Sequence, residues 1–162
     1  MMIDNRRHIS LTSFLLLLVL TLTACDRNVL FDDSRHLDGD VWNSSELMVF
    51  NVEVSDTSST YLCCFDLRNT NDYPFSNIFL SLKTVLPDGA VATDTNLEFI
   101  LAEPDGRWLG KQTGRYIDGR YPFGYLRFPQ QGLYQFSVGH AMRDTLLPGV
   151  KDVGLHIENT DN

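Results

Sequence analysis

The chain has 162 residues, a formal net charge of −8, 43% hydrophobic residues and three cysteines. An acidic balance with no cluster of lysine and arginine lacks the electrostatic footprint of a nucleic-acid or anionic-lipid binder, so neither is expected as a partner. Three cysteines do not make the framework of a disulfide scaffold, and stability has to come from an apolar core.

The first 24 residues read as an export signal. Arg6 and Arg7 precede an apolar run from Leu11 through Leu22, shorter than the roughly 20 residues a membrane-spanning helix needs. The run ends in Leu22-Thr23-Ala24-Cys25. A cysteine directly after Leu-x-Ala is the pattern at which bacterial lipoprotein processing attaches diacylglycerol to the thiol and then cuts in front of it. Cys25 is therefore the expected lipidation site and first mature residue, palmitate-type acyl chains included. Two or three such chains hold a protein on a bilayer where one binds marginally, at about 0.8 kcal/mol per buried methylene. Loss of Asp4, Arg6 and Arg7 with the signal lowers the formal charge by one, to −9, and leaves 162 less 24, or 138, residues. That length fits one domain. The expected divisions are a lipoprotein signal peptide over 1–24, a lipidated tether over 25–40, and a β-sandwich domain over 41–162.

Residues 26–40 are polar and mixed in charge, with Val29, Leu30 and Phe31 able to dock. Period two then takes over. Met48, Phe50, Val52 and Val54 share one face of a first strand, and Tyr61, Cys63, Phe65 and Leu67 share one face of a second,. This register points Cys63 inward and Cys64 outward. Neighbours in a strand cannot close a normal disulfide, so both are expected as reduced thiols. Asn69-Thr70-Asn71-Asp72-Tyr73-Pro74 supplies turn chemistry, after which Ile78, Leu80 and Leu82 restart the inward face,. Pro87-Asp88-Gly89 marks a turn, Leu97, Phe99 and Leu101 a strand, and Glu103-Pro104-Asp105-Gly106 another turn. Residues 107–120 read as a long irregular connection with at most one helical turn. Strands resume over 125–128, 132–138 and 150–157.

Seven or eight short strands with frequent turn signals predict an all-β fold, a single antiparallel β-sandwich of Ig-like or jelly-roll-like type. Gly132-Leu133-Tyr134 entering a late strand has the form of a tyrosine corner, with Phe136 where such domains can carry a cysteine,.

No catalytic constellation emerges. His8 leaves with the signal and His36 lies in the tether, while His140 and His156, near Asp144 and Asp152, form no metal-binding or nucleophile-activating pattern,. No catalytic residue, metal or cofactor is assigned, and the chain is not expected to be an enzyme. Trp42, Trp108, Tyr116, Tyr121 and Tyr125 could form a glycan platform if they converged, against the alternative of core packing. Asp56, Asp94 and Asp105 sit singly, without the spacing of a calcium loop. Asp105, Arg107 and Trp108 are the candidate partner-binding residues: the turn at Pro104–Gly106 presents Trp108 on a loop, and tryptophan and arginine are enriched at interface hot spots. The alternative is that Trp108 folds back and plugs the end of the sandwich.

Asn69, Asn71-Asp72-Tyr73-Pro74-Phe75, Asn77 and Leu80 resemble a segment of the gliding-motility lipoprotein family GldH. The resemblance continues through Ala102-Glu103-Pro104-Asp105-Gly106 with Trp108-Leu109-Gly110, Phe128-Pro129 with Gly132 and Tyr134, Ala141-Met142-Arg143, and Gly149-Val150 with Asp152-Val153-Gly154. It covers nearly the whole mature chain. It implies a membrane-anchored envelope lipoprotein, facing the periplasm, that is an accessory part of the gliding machinery linked to type IX protein secretion, with other envelope proteins as partners. The resemblance carries over no catalytic residues. The other reading is a glycan- or peptide-binding envelope lipoprotein.

Overall fold

Alternation of apolar and polar side chains forces extended backbone, because only a strand turns successive residues to opposite faces. The computed structural model describes residues 28–161. The segment expected to be a signal peptide, and Cys25, the expected lipidation site, lie outside the described residues.

The strands are β1 (Val29–His36), β2 (Val41–Asn43), β3 (Met48–Val54), β4 (Tyr61–Thr70), β5 (Asn77–Val85), β6 (Val91–Ile100), β7 (Lys111–Thr113), β8 (Tyr116–Leu126), β9 (Gly132–His140), β10 (Leu146–Pro148) and β11 (Val150–Asn159). They form a five-stranded sheet in the order β1-β11-β4-β8-β7, a four-stranded sheet in the order β3-β9-β5-β6, and a two-stranded β10-β2 ribbon. Every pairing is antiparallel. The two larger sheets pack as a β-sandwich, as the alternation predicts.

Their inner faces meet in one core. Phe50, Val52, Phe136 and Val138 come from the four-stranded sheet, and Cys63, Phe65, Val153, Leu155 and Ile157 from the five-stranded one; each is at most 1% exposed. Full burial of side chains this size contributes about 1.5–3 kcal/mol each. The tyrosine corner forms. Tyr134 donates its hydroxyl to the Gln130 carbonyl at 2.9 Å, and its ring packs on Phe128 at 4.8 Å.

Two expectations need correction, and a third holds with more burial than orientation alone would give. Residues 29–36, read as tether, are edge strand β1, paired along its length with β11; Phe31 and Leu30 pack on the core while Asp32, Ser34 and His36 face away. The polar outward residues concealed the alternation. Residues 107–120 are not irregular: Trp108 bridges to Ala102, and β7 pairs with β8 around a turn at Gly114. Gly114 takes φ +63°, a left-handed conformation suited to glycine, so a hairpin forms where the sequence shows only polar residues,. Cys64 faces out of the core yet is only 3% exposed. A register shift in the β4–β8 ladder falls between Cys63 and Cys64, and the charged side chains of the outer face roof the thiol over.

That outer face is ordered by charge. One row crosses all five strands as His36, Asp152, Arg68, Asp118 and Lys111, alternating in sign where His36 is protonated. Arg68 reaches Asp118 at 2.5 Å and Asp152 at 3.3 Å, and His36 reaches Asp152 at 2.8 Å. Opposite charges directly across a ladder contribute roughly 0.2–1 kcal/mol per pair.

Candidate functional site at the loop-rich end

The antiparallel order sends the loops to two ends. Asn28 lies at one, where the Asn159 N–H donates to the Asn28 carbonyl at 2.6 Å. The hairpin and corner loops after β3, β5 and β8 share this end. The loops after β1, β4, β6 and β9 gather at the other, about ten residues of strand or roughly 34 Å away.

At that far end the Asn69–Phe75 segment is built from the backbone outward. Asn69 and Thr70 are buried, and the Thr70 N–H donates to the Gly149 carbonyl at 2.8 Å. Gly149 takes φ +82°, and a Cβ there would meet the Tyr73 Cα at 2.9 Å, so the close approach needs glycine,. Tyr73 in turn donates its hydroxyl to the Asn77 carbonyl at 3.0 Å. Burial pushes its phenol above the ordinary range. Its ring is the hub of an aromatic row, 5.8 Å from Phe75 and 6.5 Å from Trp108.

Beside that row lies a pocket of about 550 Å³ lined by Phe75, Phe79, Ala141, Met142, Arg143 and Asp144. Phe79 is exposed, since it points away from the inward face of β5. Its backbone N–H donates to the Met142 thioether at 3.2 Å, a weak acceptor. Among the described residues Arg143 makes no ion pair. The pocket thus offers two aromatic walls, an adaptable thioether, and the Arg143 cation with the Asp144 carboxylate beside it. Those properties suit an apolar side chain carried on a polypeptide.

Trp108 folds back: it is half-buried and packed against the core, with its backbone bridged to Ala102. Asp105 accepts the Arg107 N–H at 3.0 Å and so shapes the turn, while the Arg107 guanidinium stands in solvent, 3.9 Å from Glu103. The five rings considered for glycans do not converge. Trp42 is fully buried, Tyr121 faces inward against Phe99 at 5.9 Å, and Tyr116 and Tyr125 sit near opposite ends of β8. Asp56, Asp94 and Asp105 are likewise scattered, and Asp56 is occupied by Ser58 and Ser59, whose hydrogen bonds hold its carboxyl well below the usual range.

The histidines are also separated. His140 is buried, its Nε2 3.1 Å from the Trp42 carbonyl, and burial depresses its pKa. His156 lies on the charged face between Asp32 at 3.0 Å and Glu158 at 3.4 Å. Cys64 is its cross-strand neighbour, but burial raises the Cys64 pKa, the reverse of what an attacking thiolate needs. The Cys63 thiol, deeper, is pushed up to about 12.

Sequence reasoning noted Phe75 and Met142 only as members of motifs and missed Phe79. Its signal was present, as a large aromatic residue out of phase with Ile78 and Leu80.

Fold and site together define a β-sandwich whose apolar pocket and aromatic row are carried by loops at the end remote from Asn28. The chain belongs to the GldH lipoprotein family, whose model matches residues 29–157. It is 30% identical over 152 residues to the gliding motility lipoprotein GldH homolog of Christiangramia forsetii, covering 89% of this chain and 92% of that one. It is also 30% identical over 163 residues to gliding motility lipoprotein GldH of Flavobacterium johnsoniae, covering 93% of this chain and 97% of that protein. Among solved structures, the infectious bursal disease virus VP2 subviral particle gives a TM-score of 0.41 at 8% identity, over 80% of this chain and 30% of that one, too low to carry an argument. Four of the segments named in the resemblance, 69–77, 102–110, 141–143 and 149–154, meet at the loop-rich end.

Proposed function

We propose that this chain is a non-enzymatic lipoprotein, anchored in the cell envelope by acylated Cys25 and facing the periplasm, which serves as an accessory component of a gliding machinery linked to type IX protein secretion. Membership of the GldH family supports the setting. The observation that supports the mode of action is an apolar pocket, built from the family-like segments 69–77 and 141–143 together with Phe79 and Asp144, at the end of the sandwich remote from Asn28. The loop-rich end docks on another envelope protein, with Arg107 and Asp105 at its rim and the exposed part of Trp108 beside them.

Two measurements test this reading. Cys25→Ser should move the protein out of the membrane fraction, and a variant that stays membrane-bound through a high-salt wash would overturn the anchor. Arg107→Glu removes a solvent-exposed guanidinium, so the melting point should hold while crosslinking in native envelopes loses the partner proteins captured by the wild type. An unchanged set of crosslinked partners would remove this loop from the docking surface.

A further inference from the structure

The reach between lipid and folded domain is set by where β1 begins. Because residues 29–36 belong to the sheet, only Asp26 and Arg27 stand between Cys25, the expected acylation site, and Asn28. Three residue steps, however arranged, span at most about 11 Å. Asn28 adds no slack: its carbonyl accepts the Asn159 N–H at 2.6 Å, and Val29 is already paired with Glu158. A longer reach would require β1 to separate from β11.

The surface around Asn28 has the mixed polarity of a lipid headgroup layer. The loops at this end, 55–60, 86–90 and 127–131, carry Asp56, Asp88 and Arg127 as their charged residues, and the rest are apolar or uncharged. Tyr125, Val91 and Leu133 flank these loops and are each more than half exposed. Tyr125 stands level with the chain start, because one row of ladder partners runs Val29, Glu158, Leu62, Tyr125, three strand spacings or about 14 Å across. Tyrosine, with an apolar body and a polar tip, favours the boundary between lipid and water. Arg127 donates its Nε–H to Thr60 Oγ1 at 3.0 Å and makes no ion pair among the described residues. Asp56, Asp88 and Asp161 share the same end and disfavour an anionic surface. A zwitterionic phospholipid meets both signs, offering phosphate to Arg127 and ammonium to the acids.

We propose that the Asn28 end of the sandwich rests on a zwitterionic phospholipid surface, with Tyr125 in the headgroup layer and the strands standing away from the bilayer. The inference rests on the reading that Cys25 is acylated. The flank formed by the five-stranded sheet fits less well, since laying it on lipid would desolvate the charged row from His36 to Lys111,. Upright seating carries the pocket at Phe79 about 34 Å out from the lipid. Its partner is then a protein that presents a segment at that height, not one flush with the membrane.

The test uses the full lipidated chain reconstituted in vesicles of phosphatidylethanolamine and phosphatidylcholine, part of the latter spin-labelled on its headgroup. A thiol-reactive fluorophore is attached to Tyr125→Cys, to Thr57→Cys or, at the far end, to Leu109→Cys. All three positions are exposed, whereas Cys63 and Cys64 are buried. Fluorescence should be lost at positions 125 and 57 and kept at 109. Equal loss at all three would mean that the domain lies on its side, and no loss at 125 and 57 in protein that floats with the vesicles would mean that it stands clear of the lipid. Either result would overturn the proposal while leaving the anchor intact. Failure of the anchor reads out separately, as an intact mass without acyl chains, and would take this inference with it.

Discussion

The two ends of the sandwich are closed by different means. Near Asn28, Tyr61, Phe128 and Tyr134 stack in sequence at 5.3 and 4.8 Å, and the tyrosine hydroxyls reach the Asp56 and Gln130 carbonyls. Side chains cap the loops there, as Asp56 does for Ser58 and Asp88 for Ala90. The other end contains a fully buried tryptophan, but also the pocket at Phe79 and two buried polar atoms, Asn69 Oδ1 and His140 Nδ1, with no partner. An unpaired buried polar atom costs about 1–3 kcal/mol. One end maximises satisfaction; the other tolerates its cost and keeps an open cavity, the usual signature of a surface shaped for something besides stability.

Substitutions can probe that contrast, beginning with the largest effect. Trp42 is 0% exposed, donates its Nε1–H to the Glu46 carbonyl at 3.0 Å and packs edge-on against His140 at 5.4 Å. Trp42→Ala should lower the unfolding free energy by about 3–5 kcal/mol in urea titration. A smaller loss would mean that the loop-rich end is no part of the cooperative core. At the closed end, Tyr134→Phe keeps the ring and removes only the bond to Gln130, so a loss of about 0.5–1.5 kcal/mol is expected. A neutral outcome would show that ring packing alone shuts that end.

The third effect depends on pH. Burial lowers the His140 pKa below its ordinary 6.5, with the hydrogen bond to the Trp42 carbonyl and then Asp144 partly opposing the shift. The unfolded chain then takes up a proton at higher pH than the folded one. Stability is therefore full above about pH 6.5 and falls as pH drops below it. Melting points between pH 7.5 and pH 5.5 should decline more steeply for the wild type than for His140→Gln. Equal slopes would remove His140 from the account. The smallest effect is expected at the pocket wall: Phe79 is 37% exposed, and Phe79→Ser should change stability by no more than about 0.5 kcal/mol. A larger loss would make the pocket a packing element and weaken the contrast between the ends.

The sequence alone determined the sandwich class, the inward faces of β3, β4 and β5, the turns at Pro87–Gly89 and Glu103–Gly106, and the tyrosine corner. Those features are written in local signals, period-two alternation and turn residues, which need no distant partner. The same locality explains what was missed. β1 has polar outward residues and gains its strand geometry from the β11 ladder, and β7 with the start of β8 is held by pairing around Gly114. Cys64 is buried by side chains arriving from other strands, which no count along β4 can register. The loop-rich end was decided by tertiary structure for the same reason: Tyr73, Phe79, Trp108 and Met142 are scattered along the chain. Strand order alone brings them together, because antiparallel pairing delivers every second loop to the same end.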